Sequence, residues 1–244
     1  MSTRINLLPP AVEPGPYELP PAPLPEAEAE PKAREWNAER FADEQILRLV
    51  RQVFVPGWPK PARHVVFSAV DAKTYVAEIC MDVGKALACQ VSGSVCVVEA
   101  NAQKPELEQV FGRKSRRPEP EGLEFGVLHG LCQHVGGRLW LAPLAVLGGE
   151  GHDFSAAWLE RRLMELHFEF DYTVLHAPAA AVSSEVALLG RLSDGVALVV
   201  EAQRTRRAAA QGAKEMLFAA NVRLLGSVLS ERRFPIPERL YRRL

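Results

Sequence analysis

Lys73 and Thr74 close a turn, Ser68-Ala69-Val70-Asp71-Ala72-Lys73-Thr74, that follows the apolar run Val65-Val66-Phe67. A Lys-Thr pair at such a strand-to-helix turn is the ending of a phosphate-binding loop, where the ammonium meets phosphate and the hydroxyl meets magnesium. The rest of the turn opposes that chemistry. A phosphate cradle needs glycines so that successive N–H groups can turn inward, and residues 68–74 contain none. Asp71 also brings a carboxylate to the place where phosphate would approach. At about 4 Å and an effective dielectric near 20, that repulsion costs about 4 kcal/mol. Asp71 is better explained as the N-cap of a helix starting at Ala72, so that the chain fills its own anion hole. Lys73 is then either a residual phosphate ligand or, the preferred reading, a solvated residue of the first helical turn.

Other reactive side chains are weighed the same way. His176 at a strand end suits a general base, but no nucleophile accompanies it in sequence, and a hydrogen-bonded structural histidine is favoured. His129 and Cys132 share a helical face, whereas His134 lies about 140° around from His129, so a closed metal site is not expected. Trp58 and Trp140 read as packing residues.

Positioning these groups falls to an alternation of short apolar runs and amphipathic stretches. Strands are expected at Val65–Phe67, Val95–Glu99, Leu139–Ala142, Tyr172–His176, Val196–Glu201 and Arg223–Leu229. Helices are expected at Thr74–Cys89, Glu106–Phe111, Leu123–His134, Phe154–His167, Ser184–Leu192 and Arg207–Ala219. Such alternation predicts a three-layer α/β/α domain around a mostly parallel sheet, with chemistry at the C-terminal strand ends. A leading helix at about 38–54 is predicted from Phe41, Ile46, Leu47, Leu49, Val50 and Val53, ended by Pro56, Pro59 and Pro61. Residues 1–35 hold nine of the nineteen prolines and read as a disordered tether to the domain of residues 36–244, Ile5-Asn6-Leu7-Leu8 being its one apolar cluster.

Charge is lopsided. Residues 204–244 carry ten Lys/Arg against three acids, while the whole chain is at −1. A basic end suits an acidic or phosphorylated protein partner or an anionic membrane surface; it lacks the aromatic interleaving of a nucleic-acid binder. The four cysteines show no CxxC pairing and read as reduced residues of a cytoplasmic protein.

The segments Val65-Val66-Phe67-Ser68-Ala69 with Lys73-Thr74, Val95-Cys96-Val97-Val98-Glu99-Ala100-Asn101 with Pro105 and Phe111-Gly112, Phe170 to Pro178, Ser193-Asp194-Gly195-Val196, and Leu225-Gly226-Ser227-Val228-Leu229 follow one another in a familiar order. Together they resemble the bacterial tyrosine kinases of capsule and exopolysaccharide synthesis, within the ParA/MinD-like P-loop ATPases. The resemblance runs from about residue 40 to the C-terminus. It implies a nucleotide site made of Ser68, Asp71, Lys73, Thr74, Glu99, Asn101, His176 and Ser230. At those positions the family's loop has glycines and about two more residues between Ala69 and Lys73. It has aspartates where Glu99, Asn101 and His176 stand, and usually an asparagine where Ser230 stands. The family's ring-forming Glu-x-x-Arg-x-x-Arg motif survives as Gln45-x-x-Arg48-x-x-Arg51, with Glu44 one residue out of register, which implies a homo-oligomer contact. Its C-terminal tyrosine cluster is reduced to Tyr241.

The expected function is therefore a catalytically silent relative of these kinases, using no cofactor. It would act in polysaccharide export on an active kinase paralogue or a membrane-embedded chain-length regulator, through Arg232, Arg233, Arg239, Tyr241, Arg242 and Arg243 of a basic tail, 232–244. Recruitment to the inner face of the membrane would follow. Two rivals stand beside it: a weak Mg-ATP-dependent autokinase using Lys73, Thr74 and Glu99, and a peripheral membrane adaptor dipping Ile236, Leu240, Tyr241 and Leu244 into lipid.

Overall fold

The computed structural model describes residues 38–55, 61–107, 109, 128–148 and 155–231. The N-terminal tether, Trp58 and the basic tail with Arg232, Arg233, Arg239, Tyr241, Arg242 and Arg243 lie outside the described residues. So do the hydrophobic positions of the tail.

Among the described residues seven strands form one sheet: β1 (His64–Ala69), β2 (Val95–Glu99), β3 (Gln133–Gly136), β4 (Leu139–Ala142), β5 (Tyr172–His176), β6 (Gly195–Glu201) and β7 (Leu224–Ser230). Their spatial order is β3-β4-β2-β5-β1-β6-β7. Every neighbouring pair is parallel except β3 with β4, so the expected mostly parallel α/β architecture is the one found. Among the described residues the helices include α1 (Ala38–Phe54), α2 (Ala77–Gln90), α3 (Leu128–Leu131), α4 (Leu144–Gly148), α5 (Ala156–Glu169), α6 (Glu185–Arg191) and α7 (Arg207–Ala219).

The period-2 pleat divides each apolar strand between two cores. Val65, Phe67, Val95, Val97, Val174 and Val199 meet Val50 and Phe54 of α1 and Cys80, Val83 and Leu87 of α2 on one face. Val66, Cys96, Val98, Leu175, Val196 and Leu198 meet Leu159, Leu163 and Leu166 of α5, Leu189 of α6 and Leu217 of α7 on the other. Gly84 lets α2 lie close to the sheet: a Cβ there would come 2.4 Å from Val97 Cγ2. The central strands β1, β5 and β2, buried on both faces, present their C-terminal ends at one edge of the layered domain.

Two elements differ from expectation. The second helix begins at Ala77 rather than at Ala72 or Thr74. Val70 N–H still donates to Val199 O of β6 at 3.0 Å, which prolongs β1, and Thr74 N–H then donates to Asp71 O at 3.3 Å to close a turn. Asp71 is therefore no N-cap; Val76 holds that position without a side-chain cap. The helix expected through His134 stops at Leu131, and Gln133–Gly136 pairs antiparallel with β4. Gly136-Gly137 makes this hairpin possible, with Gly137 at φ +57, a left-handed conformation that side chains resist.

Candidate functional site

Beyond the ends of β1, β2 and β5 the sheet opens into a cleft of about 60 Å³, lined by Thr74, Asn101, Gln103, Lys104, Glu106 and His176 among others. Drug-sized ligands occupy sites of roughly 300–1,000 Å³. The position is the one expected for an open parallel sheet.

Glu99 is the last residue of β2 and is 0% exposed. Burying a carboxylate is costly unless its lone pairs are filled, and here they are. Oε1 accepts from Asn101 N–H at 3.0 Å and pairs with His176 Nδ1 at 2.8 Å. Oε2 accepts from the N–H groups of Glu106 and Leu107, each at 2.9 Å. One side chain thus gathers the loop after β2 and ties it to β5. His176 ends β5 at 1% exposure, and Nδ1 must carry the proton that it shares with Glu99. The histidine is a hydrogen-bonded one, as the sequence suggested, and its partner is another of the implied site residues.

Asn101 is also engaged: its Oδ1 accepts from Lys104 N–H at 3.1 Å, an Asx turn that shapes the same loop. Lys104 pairs with Glu106 and lies 4.5 Å from the Tyr75 ring centroid at the mouth of the cleft.

The turn after β1 is held from the β6 side. Thr74 Oγ1 donates to Glu201 Oε2 at 3.3 Å, and Arg204 donates to Glu201 Oε1 at 3.0 Å. Thr205 Oγ1 accepts from Glu201 N–H and donates to Asp71 Oδ2 at 2.9 Å. Glu201, Arg204 and Thr205 escaped the sequence reading, although an acid at the end of an apolar strand, shortly before the helix that starts at Arg207, was a signal available there. Ser68, buried at the end of β1, donates to Pro178 O at 2.7 Å and so locks β1 to the segment after β5. Lys73 is exposed. No residue of 68–74 has positive φ. Ser230 lies at the far end of β7, donating to Val200 O at 3.5 Å. The structure therefore brings Thr74, Asn101 and His176 to one cleft with Glu99 beneath it, sets Ser68 and Asp71 into bracing contacts, and leaves Lys73 and Ser230 outside the lining.

The remaining sequence candidates sort readily. His129 Nδ1 pairs with Glu169 Oε2 at 3.0 Å, and the same carboxylate accepts the N–H groups of Leu128 and His129 at the start of α3. His134 Nε2 sits 3.0 Å from Gly137 O. No group of three or more metal-ligating side chains occurs among the described residues. Trp140 packs against His129, His134 and Phe170, in line with a packing role. On α1, Gln45, Arg48 and Arg51 are exposed, and Glu44 pairs with Arg48 at 2.8 Å. No helix among the described residues is long and apolar enough to cross a membrane.

No protein-family model matches the chain, and no curated protein matches it either. Solved structures do. The chimerical protein CapA2B2 is 15% identical with a TM-score of 0.59, over 76% of this chain and 83% of that one. The VpsO kinase domain is 15% identical with a TM-score of 0.60, over 80% and 98%. A ParA family ATPase from Chlorobium tepidum is 13% identical with a TM-score of 0.58, over 69% and 73%. The chain thus has the α/β fold shared by bacterial tyrosine kinase domains and ParA-type ATPases.

Proposed function

We propose that this chain is a catalytically silent member of the exopolysaccharide tyrosine kinase group, serving as an interaction or regulatory subunit in polysaccharide synthesis or export. The observation that carries the proposal is the occupancy of Glu99: two carboxylate oxygens accept three backbone N–H groups and the His176 ring N–H, which fills the roughly four lone-pair sites that a magnesium ion would need. Two further features point the same way. The Thr74 hydroxyl is donated to Glu201, and Val70 and Thr74 spend their N–H groups on Val199 and Asp71 rather than on an inward cradle. Asp71 and Glu201 place two carboxylates around the turn where a nucleotide would bring its phosphates. The residues present do not fit Mg-ATP.

What remains for such a chain is its surface. On this reading the exposed face of α1, with Arg48 and Arg51, forms a contact with another copy or a kinase relative, and the tail arginines Arg232, Arg233, Arg239, Arg242 and Arg243 steer an acidic partner at the inner face of the membrane.

Genetic complementation tests the proposal. In the native host lacking this gene, a K73A/T74V chain should restore polysaccharide export as fully as the wild type, while an R48E/R51E chain should not. Failure of K73A/T74V, with the protein present at wild-type level, would support the autokinase reading instead.

A further inference from the structure

Helix α5 buries Leu159, Leu163 and Leu166 against the sheet and turns its opposite side outward. That side is not a polar one. Ala157, Arg161, Met164 and Phe168 lie three or four residues apart in turn, so they form one stripe along the helix. Met164 is 65% exposed and Phe168 84%. Solvated helix faces carry charged or polar residues at such positions, and large apolar side chains one turn apart mark an interaction surface.

The charges bordering the stripe indicate what it meets. Arg161 donates through Nε to Glu165 Oε1 at 3.0 Å, which holds the guanidinium in place and leaves the N–H groups of its two terminal nitrogens for other acceptors. Glu160 is exposed, and the residues three and four positions from it, Ala156, Ala157, Leu163 and Met164, carry no charge. Successive helical residues point about 100° apart, so Glu160 and Arg161 flank Met164 on opposite sides and do not pair within one chain.

We propose that a second copy of this chain covers the face, with two α5 helices packed side by side and parallel about a two-fold axis that runs along them. A two-fold in that direction sets the flank bearing Arg161 against the flank bearing Glu160 on the other copy, and the reverse, so two equivalent ion pairs form. Antiparallel packing would instead set arginine beside arginine and glutamate beside glutamate. Met164 and Phe168 each meet their own counterpart across the axis, and the small side chain of Ala157 lets the helices approach at the other end. Aromatic side chains cover about 150–250 Å² each, so one helix pair buries on the order of 800 Å² in all, below the roughly 1,200–2,000 Å² of a stable complex. The dimer is therefore a weak one, and it is separate from any contact through α1.

Sedimentation and cross-linking of the full-length chain test the proposal. The wild type should associate with a midpoint on the order of 100 μM. Phe168→Asp, at a side chain outside the core, should raise that midpoint at least tenfold. Glu160→Arg alone and Arg161→Glu alone should raise it too, whereas E160R/R161E, which exchanges the charges, should restore it. No recovery in the double variant would overturn the reciprocal pairing, and a wild type that stays monomeric throughout would assign the face to another protein and overturn the proposal. So would association that Phe168→Asp leaves intact and R48E/R51E abolishes, since the contact would then be α1. In a C89S background, which removes the exposed native thiol, A157C should oxidise to a linked dimer, because like positions face each other across the axis. A link that forms only when A157C and F168C chains are mixed would show antiparallel helices and refute the arrangement, as would no link at all.

Discussion

Replacing Glu99 by Ala separates a structural carboxylate from a catalytic one. In the folded chain the side chain satisfies the N–H groups of Asn101, Glu106 and Leu107 and the Nδ1–H of His176, all around a group with no solvent access. Its removal strands these four donors, each costing about 1–3 kcal/mol when buried and unpaired. Water entering the vacated space and movement of the loop will recover part of that sum, so the expected loss is on the order of 3–5 kcal/mol, the range found for breaking a buried ion pair. Urea unfolding followed by tryptophan fluorescence measures it, since a change in midpoint at constant slope reports stability alone. Glu99→Gln should lose less, because one amide oxygen still accepts two of the bonds. Carboxylates held ready for a metal or a reaction behave oppositely: they are strained in the folded state, and their removal commonly stabilises it. A loss below about 1 kcal/mol for Glu99→Ala, or any gain, would refute the reasoning.

Other consequences are open to measurement. His167 has its pKa lowered to about 4 by burial and by His64, whose ring stacks on it at 3.6 Å. The unfolded chain, near 6.5, then binds a proton that the folded one refuses; stability should fall as pH drops from 6.5 towards 4, by roughly 3 kcal/mol in all, and His167→Gln should flatten that slope in denaturant titrations at each pH. Gly84→Val should cost about 1–3 kcal/mol by pressing α2 off Val97, seen as a lowered melting temperature. Thr74→Val deletes one partly buried bond to Glu201 and should cost only about 0.5–1.5 kcal/mol by the same assay. If α1 mediates self-association, Arg48→Glu with Arg51→Glu should shift the sedimentation profile towards monomer; an unchanged profile of an oligomeric wild type would place the contact elsewhere.

Strands β1, β2 and β5 were legible because runs such as Val65–Phe67 and Val95–Val98 are apolar on both faces, which only a covered parallel strand requires. Helix starts were less so. Lys73-Thr74 looked like the opening of a helix, but the bond from Val70 N–H to Val199 O joins residues more than a hundred positions apart, and no local pattern records it. The hairpin of β3 and β4 was hidden for another reason: the helical periodicity before it was carried on to His134, although the turn signal of Gly136-Gly137 just beyond makes Gln133–Gly136 the first arm of a hairpin with β4. At the cleft, the residue types were readable and their partners were not. That Glu99 and His176 would pair follows from β2 and β5 being neighbours in register, Glu99 opposite His176, a fact of topology. Likewise the brace from Thr74 and Asp71 to Glu201 and Thr205 needs β6 beside β1.

Titration of the purified full-length chain with Mg-ATP in a calorimeter tests most directly the proposal that this cleft holds internal bonds in place of a nucleotide. The account predicts no saturable heat up to millimolar nucleotide, for the wild type and for Lys73→Ala alike; a micromolar dissociation constant that Lys73→Ala abolishes would contradict it.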